Sequence, residues 1–385
     1  MKFIISRQEL SELTNRIQNI VAPKTPIPIL SNFLIEAIDN RIILTATDLT
    51  VGVRCSGQAK IIEPGSTTIP AKRFSQLLRE LTAHHLEIST NDRDVTSIVA
   101  DSSTFKMHGM SKTDFPELPD LSGAQVIRLK QGELKDMFFR TAFAVSKEDS
   151  RYVLTGVYLH ISQGTALFVG TDGKRLARSS FATQVDPEIT AECIIPLKAV
   201  DEIMKSLTSE QDDAALYIMN DKVAVEAGDM VIITKLLSGD YPDVDKVIPQ
   251  HSNTYVSLHR EELMSLLRQI SLFTTDTNHS VRFTFSPGQL HLSVNTMDIG
   301  EGKVAMPVNY DGARFDIAFN PMYFLDILRH SKQETVSMGF SDAYNPGIIA
   351  DGDNKIEANL LPSPLFVLMP MRLNDEALTL SVSEK

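Results

Sequence analysis

The chain has 385 residues, 37 basic against 49 acidic for a net charge of -12, and is 43% hydrophobic and 22% charged. That is an ordinary globular composition with room for about two or three domains. Its acidity argues against gripping nucleic acid by bulk charge, because non-specific affinity comes from many Lys and Arg contacts to phosphate. Cys55 and Cys193 have no neighbours at metal-ligand spacing and read as small buried hydrophobes. The apolar run at residues 1–6 is too short for a signal peptide, and no run of about 18 apolar residues could span a bilayer. The expectation is a cytoplasmic protein without membrane association, disulfide or metal.

In chain order, a short strand at 3–5 leads to Ser6 in an N-cap position and an amphipathic helix with Leu10, Leu13, Ile17 and Ile20 on one face. Pro23, Pro26 and Pro28 then forbid a helix. Alternating strands at 33–37 and 42–47 flank an Asp39-Asn40 turn, and Ile69-Pro70 introduces a second helix carrying Phe74, Leu77, Leu78 and Leu81. The adjacent His84 and His85 read as that helix's polar end. Phe115-Pro116 closes the segment.

The same order then returns twice. Leu134, Met137, Phe138 and Thr141 repeat the first helix, Thr171-Asp172 repeats Thr47-Asp48, Ile195-Pro196 repeats Ile69-Pro70, and Tyr241-Pro242 repeats Phe115-Pro116. The third copy is looser, with Leu263, Leu266, Leu267 and Ile270, then Asp298, then Phe319-Asn320 before Phe324, Ile327 and Leu328. Leu10, Leu134 and Leu263 are separated by 124 and 129 positions (134 − 10, 263 − 134), and Leu77, Ile203 and Ile327 by 126 and 124 (203 − 77, 327 − 203). Steady offsets at independent landmarks indicate three similar domains, 1–121, 122–250 and 251–385, each an α+β unit of two helices packed on antiparallel sheets.

Opposite the apolar helix stripes lie Arg7, Arg16, Lys72, Arg73, Arg79, Lys135, Arg140, Lys198, Lys205, Arg260, Arg268, Arg329 and Lys332. Each alone reads as a solvated face. Their recurrence at equivalent helices in an acidic chain points to a shared cationic surface, on which Arg79, Lys198 and Lys205 are candidate phosphate contacts. No catalytic motif accompanies them: residues 170–174 fail as a phosphate loop, with Phe168 where its first glycine belongs and Arg175 where Ser or Thr should follow Lys174.

The threefold repeat, the Thr-Pro-Ile-Pro-Ile-Leu run at 25–30, Ala46-Thr47-Asp48-Leu49, the run from Gly170 to Leu176 and the closing Met369-Pro370-Met371-Arg372-Leu373 together resemble the bacterial DNA polymerase III beta subunit, the sliding clamp. The resemblance implies a head-to-tail homodimeric ring around duplex DNA that is placed by a clamp loader and tethers replicative and repair polymerases through short peptide motifs. It implies no catalysis and no cofactor. Lys24, Arg151 and Tyr152 fall where the family touches DNA; Glu148 and Val153 depart from it, where relatives can carry a neutral amide and a tyrosine. The dimer interface falls on Arg73 and Phe105 against Ile270, Leu272 and Glu301, although Phe105 and Leu272 fit a core equally well.

Size agrees with a dimer. A domain of about 125 residues behaves as a sphere roughly 36 Å across. Six in a ring leave a gap of about 36 Å and three only about 6 Å, against a duplex on the order of 20 Å wide. The family's peptide groove maps onto Gly173, Lys174, Arg175 and Leu176, onto Pro242, Lys246 and Val247, and onto Met369, Pro370 and Met371. Leu154, Thr171, Tyr323, Val367 and Arg372 assist. From the residues alone Leu176, Val247 and Met369 read as core and Arg175 as a surface charge. Residues 374–385 extend past the family's usual end by twelve (385 − 373), either as a disordered appendage or as a segment whose Leu378 and Leu380 fold back to compete for the groove. An enzyme site between repeats and a pure protein scaffold are the alternatives; trapping on circular DNA separates both from a clamp.

Overall fold

The computed structural model describes residues 1–21, 25–249, 252–275, 279–353 and 361–372, so Lys24 and the 374–385 extension lie outside the described residues. The chain forms two compact units. One comprises Met1–Lys135 with Ile195–Ser238, the other Asp136–Ile194 with the chain from Gly239 onward. The described residues hold six α-helices: α1 Arg7–Ile17, α2 Ala71–Glu80, α3 Gln131–Thr141, α4 Leu197–Ser206, α5 Arg260–Ser271 and α6 Pro321–His330.

Local chemistry sets these helices in the expected places. Ser6 caps α1 by accepting from the Glu9 amide at 3.0 Å, and Asn320 caps α6 through the Met322 amide at 2.9 Å, each satisfying an otherwise orphaned donor. Leu10, Leu13, Thr14 and Ile17 are buried on α1. Phe324, Ile327 and Leu328 are fully buried on α6. In the third repeat Phe283 packs on Phe319 and Phe324, with ring centroids 5.4 Å away in both pairs, and burying each ring stabilises by about 1.5–3 kcal/mol.

The first unit contains a five-stranded sheet in the order Lys60–Glu63, Lys2–Ser6, His85–Thr90, Val95–Ala100, Ser103–His108. Its eight-stranded sheet joins Val51–Gln58 of the first repeat to Met230–Lys235 of the second, with Cys55 opposite Met230 and Val51 opposite Thr234. The second unit has the same kind of seam. There Arg175–Ala182 of the second repeat pairs with Leu365–Leu368 of the third, Arg175 opposite Leu368. Its other sheet has four strands in the order Gly300–Pro307, Gln289–Thr296, Val281–Ser286, Phe315–Phe319. Ser103–His108 and Gly300–Pro307 are therefore edge strands.

Three sequence expectations need correcting. His84 and His85 do not end a helix: Leu81 turns extended (ψ 139°) and stops α2 at Glu80. His85 opens a strand, while the His84 carbonyl accepts the first amide of α1 at 2.9 Å. Asp298 is not the third counterpart of Asp48 and Asp172. The side-chain hydroxyls of Thr47 and Thr171 donate to the carbonyls of Val51 and Arg175 at 3.0 and 2.6 Å; that of Thr296 lies 3.3 Å from the Gly300 carbonyl, with the Phe273 carbonyl a closer acceptor at 3.0 Å, and the same four-residue spacing makes Thr296 the landmark, with Met297 where the aspartates stand. The cationic helix faces, finally, are only partly free. Arg7, Lys135 and Arg260 reach the final carbonyls of the neighbouring helix, at Leu78, Leu207 and Leu328. Their charge neutralises the negative helix end instead of facing outward. Cys55 and Cys193 are free and buried.

Candidate functional site

The centre of the site is Arg175, the first residue of its strand. The turn before it is held by Asp172, whose Oδ1 accepts from the Lys174 and Arg175 amides at 2.9 and 3.0 Å. Gly173 takes φ +80° between them, a left-handed position natural to glycine. Any side chain there would also strike the Arg151 guanidinium, 2.9 Å from an ideal Cβ. With its backbone fixed, Arg175 donates to Asp172 Oδ2 at 3.2 Å, Asp326 Oδ2 at 2.7 Å and the Phe143 carbonyl at 2.9 Å. Its guanidinium lies 4.7 Å from the Tyr323 ring centroid and 5.4 Å from that of Phe143. The surface charge suggested by the residues alone is thus a 10% exposed hub.

Asp326 and Phe143 were missed in the sequence. Each is one polar or aromatic residue on a helical stretch, and only the fold makes them neighbours of Arg175. His330 belongs to the same cluster: it stacks on Phe143 at 4.1 Å, and its Nδ1 lies 2.6 Å from the Asp326 carbonyl. Burial holds its pKa below the ordinary histidine value.

The chain's end is tied in by backbone bonds. Pro370 has no amide hydrogen, and the methionines on either side supply the donors, Met369 to the Lys174 carbonyl at 2.9 Å and Met371 to that of Ala318 at 2.8 Å. The candidate groove residues divide by burial. Leu154, Thr171, Leu176 and Val367 are 1%, 8%, 3% and 3% exposed, and Leu176 and Val367 share an apolar cluster with Val244, Ile248 and Ile348, against which Tyr158 and Tyr241 pack. Those tyrosines stack at 4.7 Å, and burial pushes the Tyr158 hydroxyl up to about 12. Gly173, Lys174, Pro242, Lys246, Val247, Met369 and Arg372 are exposed, and Tyr323, Pro370 and Met371 half-buried. Val247 at 51% and Met369 at 43% are the large apolar side chains left uncovered. Lys246 pairs with Asp243 at 3.0 Å.

The candidate DNA contacts fall in two places. Arg79, Lys198 and Lys205 are exposed residues of the first unit. Arg79 donates to Gln18 at 2.6 Å and Lys205 to Glu202 at 2.6 Å, while Lys198 pairs with Asp48. Burial alone would raise the Asp48 pKa; the hydrogen bonds from Lys198 and from the Val51 and Thr50 amides outweigh it and hold the carboxyl below the usual range. Glu148, Arg151 and Tyr152 share one exposed loop of the second unit, where Arg151 is forked onto Asp149 at 3.1 and 3.0 Å. Among the candidate interface residues, Arg73 and Glu301 are exposed, Phe105 is half-buried and Leu272 is 74% exposed. Ile270, at 1%, is core: it closes the buried face of α5, and its Cδ1 lies 2.9 Å from where a Cβ on Gly302 would stand.

No helix of the described residues is long and apolar enough to cross a membrane. Three repeats of paired helices on antiparallel sheets, with sheets continued across repeat seams, define the clamp class of fold. Family models of the DNA polymerase III beta subunit match its N-terminal domain at residues 1–119, its central domain at 128–243 and its C-terminal domain at 245–364. The beta sliding clamp of Chlamydia muridarum is 50% identical over 98% of this chain and 100% of its own, and that of Pseudomonas putida 27% identical over 97% and 100%. Among solved structures, a Bacillus subtilis sliding clamp superposes with a TM-score of 0.92 at 26% identity, covering 97% of this chain and 100% of its own. A Pseudomonas aeruginosa clamp bound to griselimycin superposes with 0.91 at 27%, with the same coverage. The chain belongs to the DNA polymerase III beta subunit family and is a sliding clamp, a processivity factor of DNA replication.

Proposed function

We propose that the protein acts as a homodimeric ring that encircles duplex DNA without sequence preference, is opened and closed by a clamp loader, and holds replicative and repair polymerases by short peptides. The observation that supports the ring is the pair of edge strands. Each internal seam joins four strands of one repeat to four of the next into an eight-stranded sheet. Gly300–Pro307 ends a sheet of the first kind, and Ser103–His108 one of the second, with nothing across from either. A head-to-tail dimer pairs these two edges with each other at once.

In this reading the ring retains DNA by topology. Arg79, Lys198, Lys205, Arg151 and Tyr152 supply weak phosphate contacts that permit sliding. Partner peptides lie along the uncovered Val247 and Met369 beside the Arg175 hub, where methionine adapts to ligands of differing shape. Retention on nicked circular DNA after loading, with loss through the ends once the circle is cut, is the expected behaviour. Equal retention on both forms would overturn the ring, and a polymerase peptide whose affinity ignores Met369→Ala would overturn the groove.

A further inference from the structure

We propose that Met369 is a reversible oxidation switch: a hydroperoxide converts its thioether to a sulfoxide in rings whose groove is empty, and the sulfoxide keeps partner peptides out until a reductase removes it. The inference rests on the groove reading and adds a modification site and its consequence.

Sulfur chemistry in this chain is steered to methionine. Peroxides attack cysteine as the thiolate, and Cys55 and Cys193 are both buried, which pushes their thiols up to about 12. Of the fourteen methionines, only Met297, Met322 and Met369 are exposed, at 104%, 45% and 43%. The step itself needs no help from the protein. A sulfur lone pair attacks one peroxide oxygen, the S–O bond forms as the O–O bond breaks, and the hydroperoxide's own proton ends on the departing oxygen, which leaves as water or an alcohol. Sulfur gives up two electrons and the peroxide takes them.

Position separates Met369 from the other two. Its amide donates to the Lys174 carbonyl at 2.9 Å and the preceding Leu368 is fully buried, so its backbone is held in place. Alternation along the ladder puts it on the side of Val367, which shares an apolar cluster with Leu176, Val244 and Ile248. The exposed thioether is thus the uncovered rim of that cluster. The donors around it are engaged: the Lys174 and Arg175 amides serve Asp172, and the Arg175 guanidinium serves Asp172, Asp326 and the Phe143 carbonyl. A peptide seated over a sulfoxide at Met369 would therefore bury a strongly polar oxygen without a donor, which is costly. Met297 lies in the turn between Gln289–Thr296 and Gly300–Pro307, and Met322 in the first turn of α6. Their sulfoxides stay solvated. Because a seated peptide covers Met369, rings that hold a polymerase are shielded and idle rings are closed to new partners.

Peroxide treatment of the full-length protein tests the switch, with oxidised sites mapped by mass spectrometry and affinity read with a fluorescent peptide from the replicative polymerase. In the Met297→Leu, Met322→Leu variant, oxidation of Met369 should lower affinity at least about fivefold while sedimentation still shows the dimer. Methionine sulfoxide reductases with a dithiol, which becomes a disulfide as the oxygen leaves in water, should restore it. The Met369→Leu variant should keep whatever affinity it starts with through the same treatment, although Met297 and Met322 are oxidised. Saturating peptide added beforehand should slow oxidation of Met369 and leave that of Met297 unchanged. Affinity that survives complete conversion of Met369, an equal loss in the Met369→Leu variant, or oxidation of Met369 at one rate with and without peptide overturns the switch. Failure of the untreated ring to bind the peptide overturns the groove reading itself.

Discussion

Replacing Arg175 with alanine tests whether the hub is structural glue for the groove. The change strips donors from Asp326 at 2.7 Å, Asp172 at 3.2 Å and the Phe143 carbonyl at 2.9 Å. Arg175 and Asp172 have side chains only 10% and 14% exposed, and removing one member of a buried pair costs about 3–5 kcal/mol. Asp326 softens this, being 30% exposed and keeping Arg329 at 2.9 Å. Lost contact with the Tyr323 and Phe143 rings adds about 1 kcal/mol. We expect a loss of about 3 kcal/mol in urea unfolding of the unit that holds Arg175. Arg175→Lys should lose about half as much, because an ammonium can keep one partner but not the fork. Partner-peptide affinity should fall in both, as Lys174, whose carbonyl anchors Met369, loses its fixed neighbour. A loss below about 1 kcal/mol would place Arg175 with ordinary surface ion pairs and refute the reasoning.

Changing Met369 and Met371 to alanine should weaken polymerase and loader peptides in calorimetric titration while sedimentation still shows the dimer. Replacing Arg79, Lys198 and Lys205 with glutamate should impair loading and shorten retention on circular DNA. It should also lower stability by about 1–2 kcal/mol, because Lys198→Glu faces Asp48, only 15% exposed. His330 should make stability pH-dependent: with its folded pKa below the ordinary 6.5, the unfolded chain binds the proton more readily. That contribution is full above about pH 6.5 and is lost as pH falls below it, so His330→Gln should flatten the difference in urea midpoint between pH 5 and 7.5. Deleting 374–385 should leave dimer and loading intact, and peptide binding should tighten severalfold if the segment competes for the groove.

How much could be read from the chain differed by kind of information. Helices carrying Leu10 or Phe324 were legible because burial on one face imposes a 3.6-residue period, and the Asp39-Asn40 turn because both residues adopt positive φ, 48° and 58°. The α2 terminus was not, since Leu81 continues the apolar stripe and the stop comes from its extended backbone. Arg175 was located but its surroundings were not. Nothing in the spacing of Phe143, Asp172 and Asp326 shows that they converge on one guanidinium. Ile270 illustrates the opposite error, a residue put at an interface beside exposed Leu272 when its own helix face requires it inside.

The seams carry the last step. Arg16 of α1 donates from Nη1 to both carboxylate oxygens of Asp229, at 2.9 and 2.8 Å. Arg140, at the same place in α3, meets Asp351 at the end of the corresponding hairpin at 3.0 Å. In α5 that place is Gln269, whose amide donates within its own helix to Ser265 at 3.3 Å. The edges differ as well. Val51 and Val53 are 0% exposed and Ile232 1%, while the two open edge strands carry glycine at 300 and 302 and a half-buried Phe105. A seam made once during folding can be apolar and cross-clamped. One that must part for DNA to enter has to tolerate water in between, and a strand edge left open needs glycine, Lys106 and Lys303 to discourage pairing with the wrong chain. The two internal seams thus carry an arginine–aspartate clamp where the third repeat has Gln269, the difference expected if the proposed ring opens between the 103–108 and 300–307 edges.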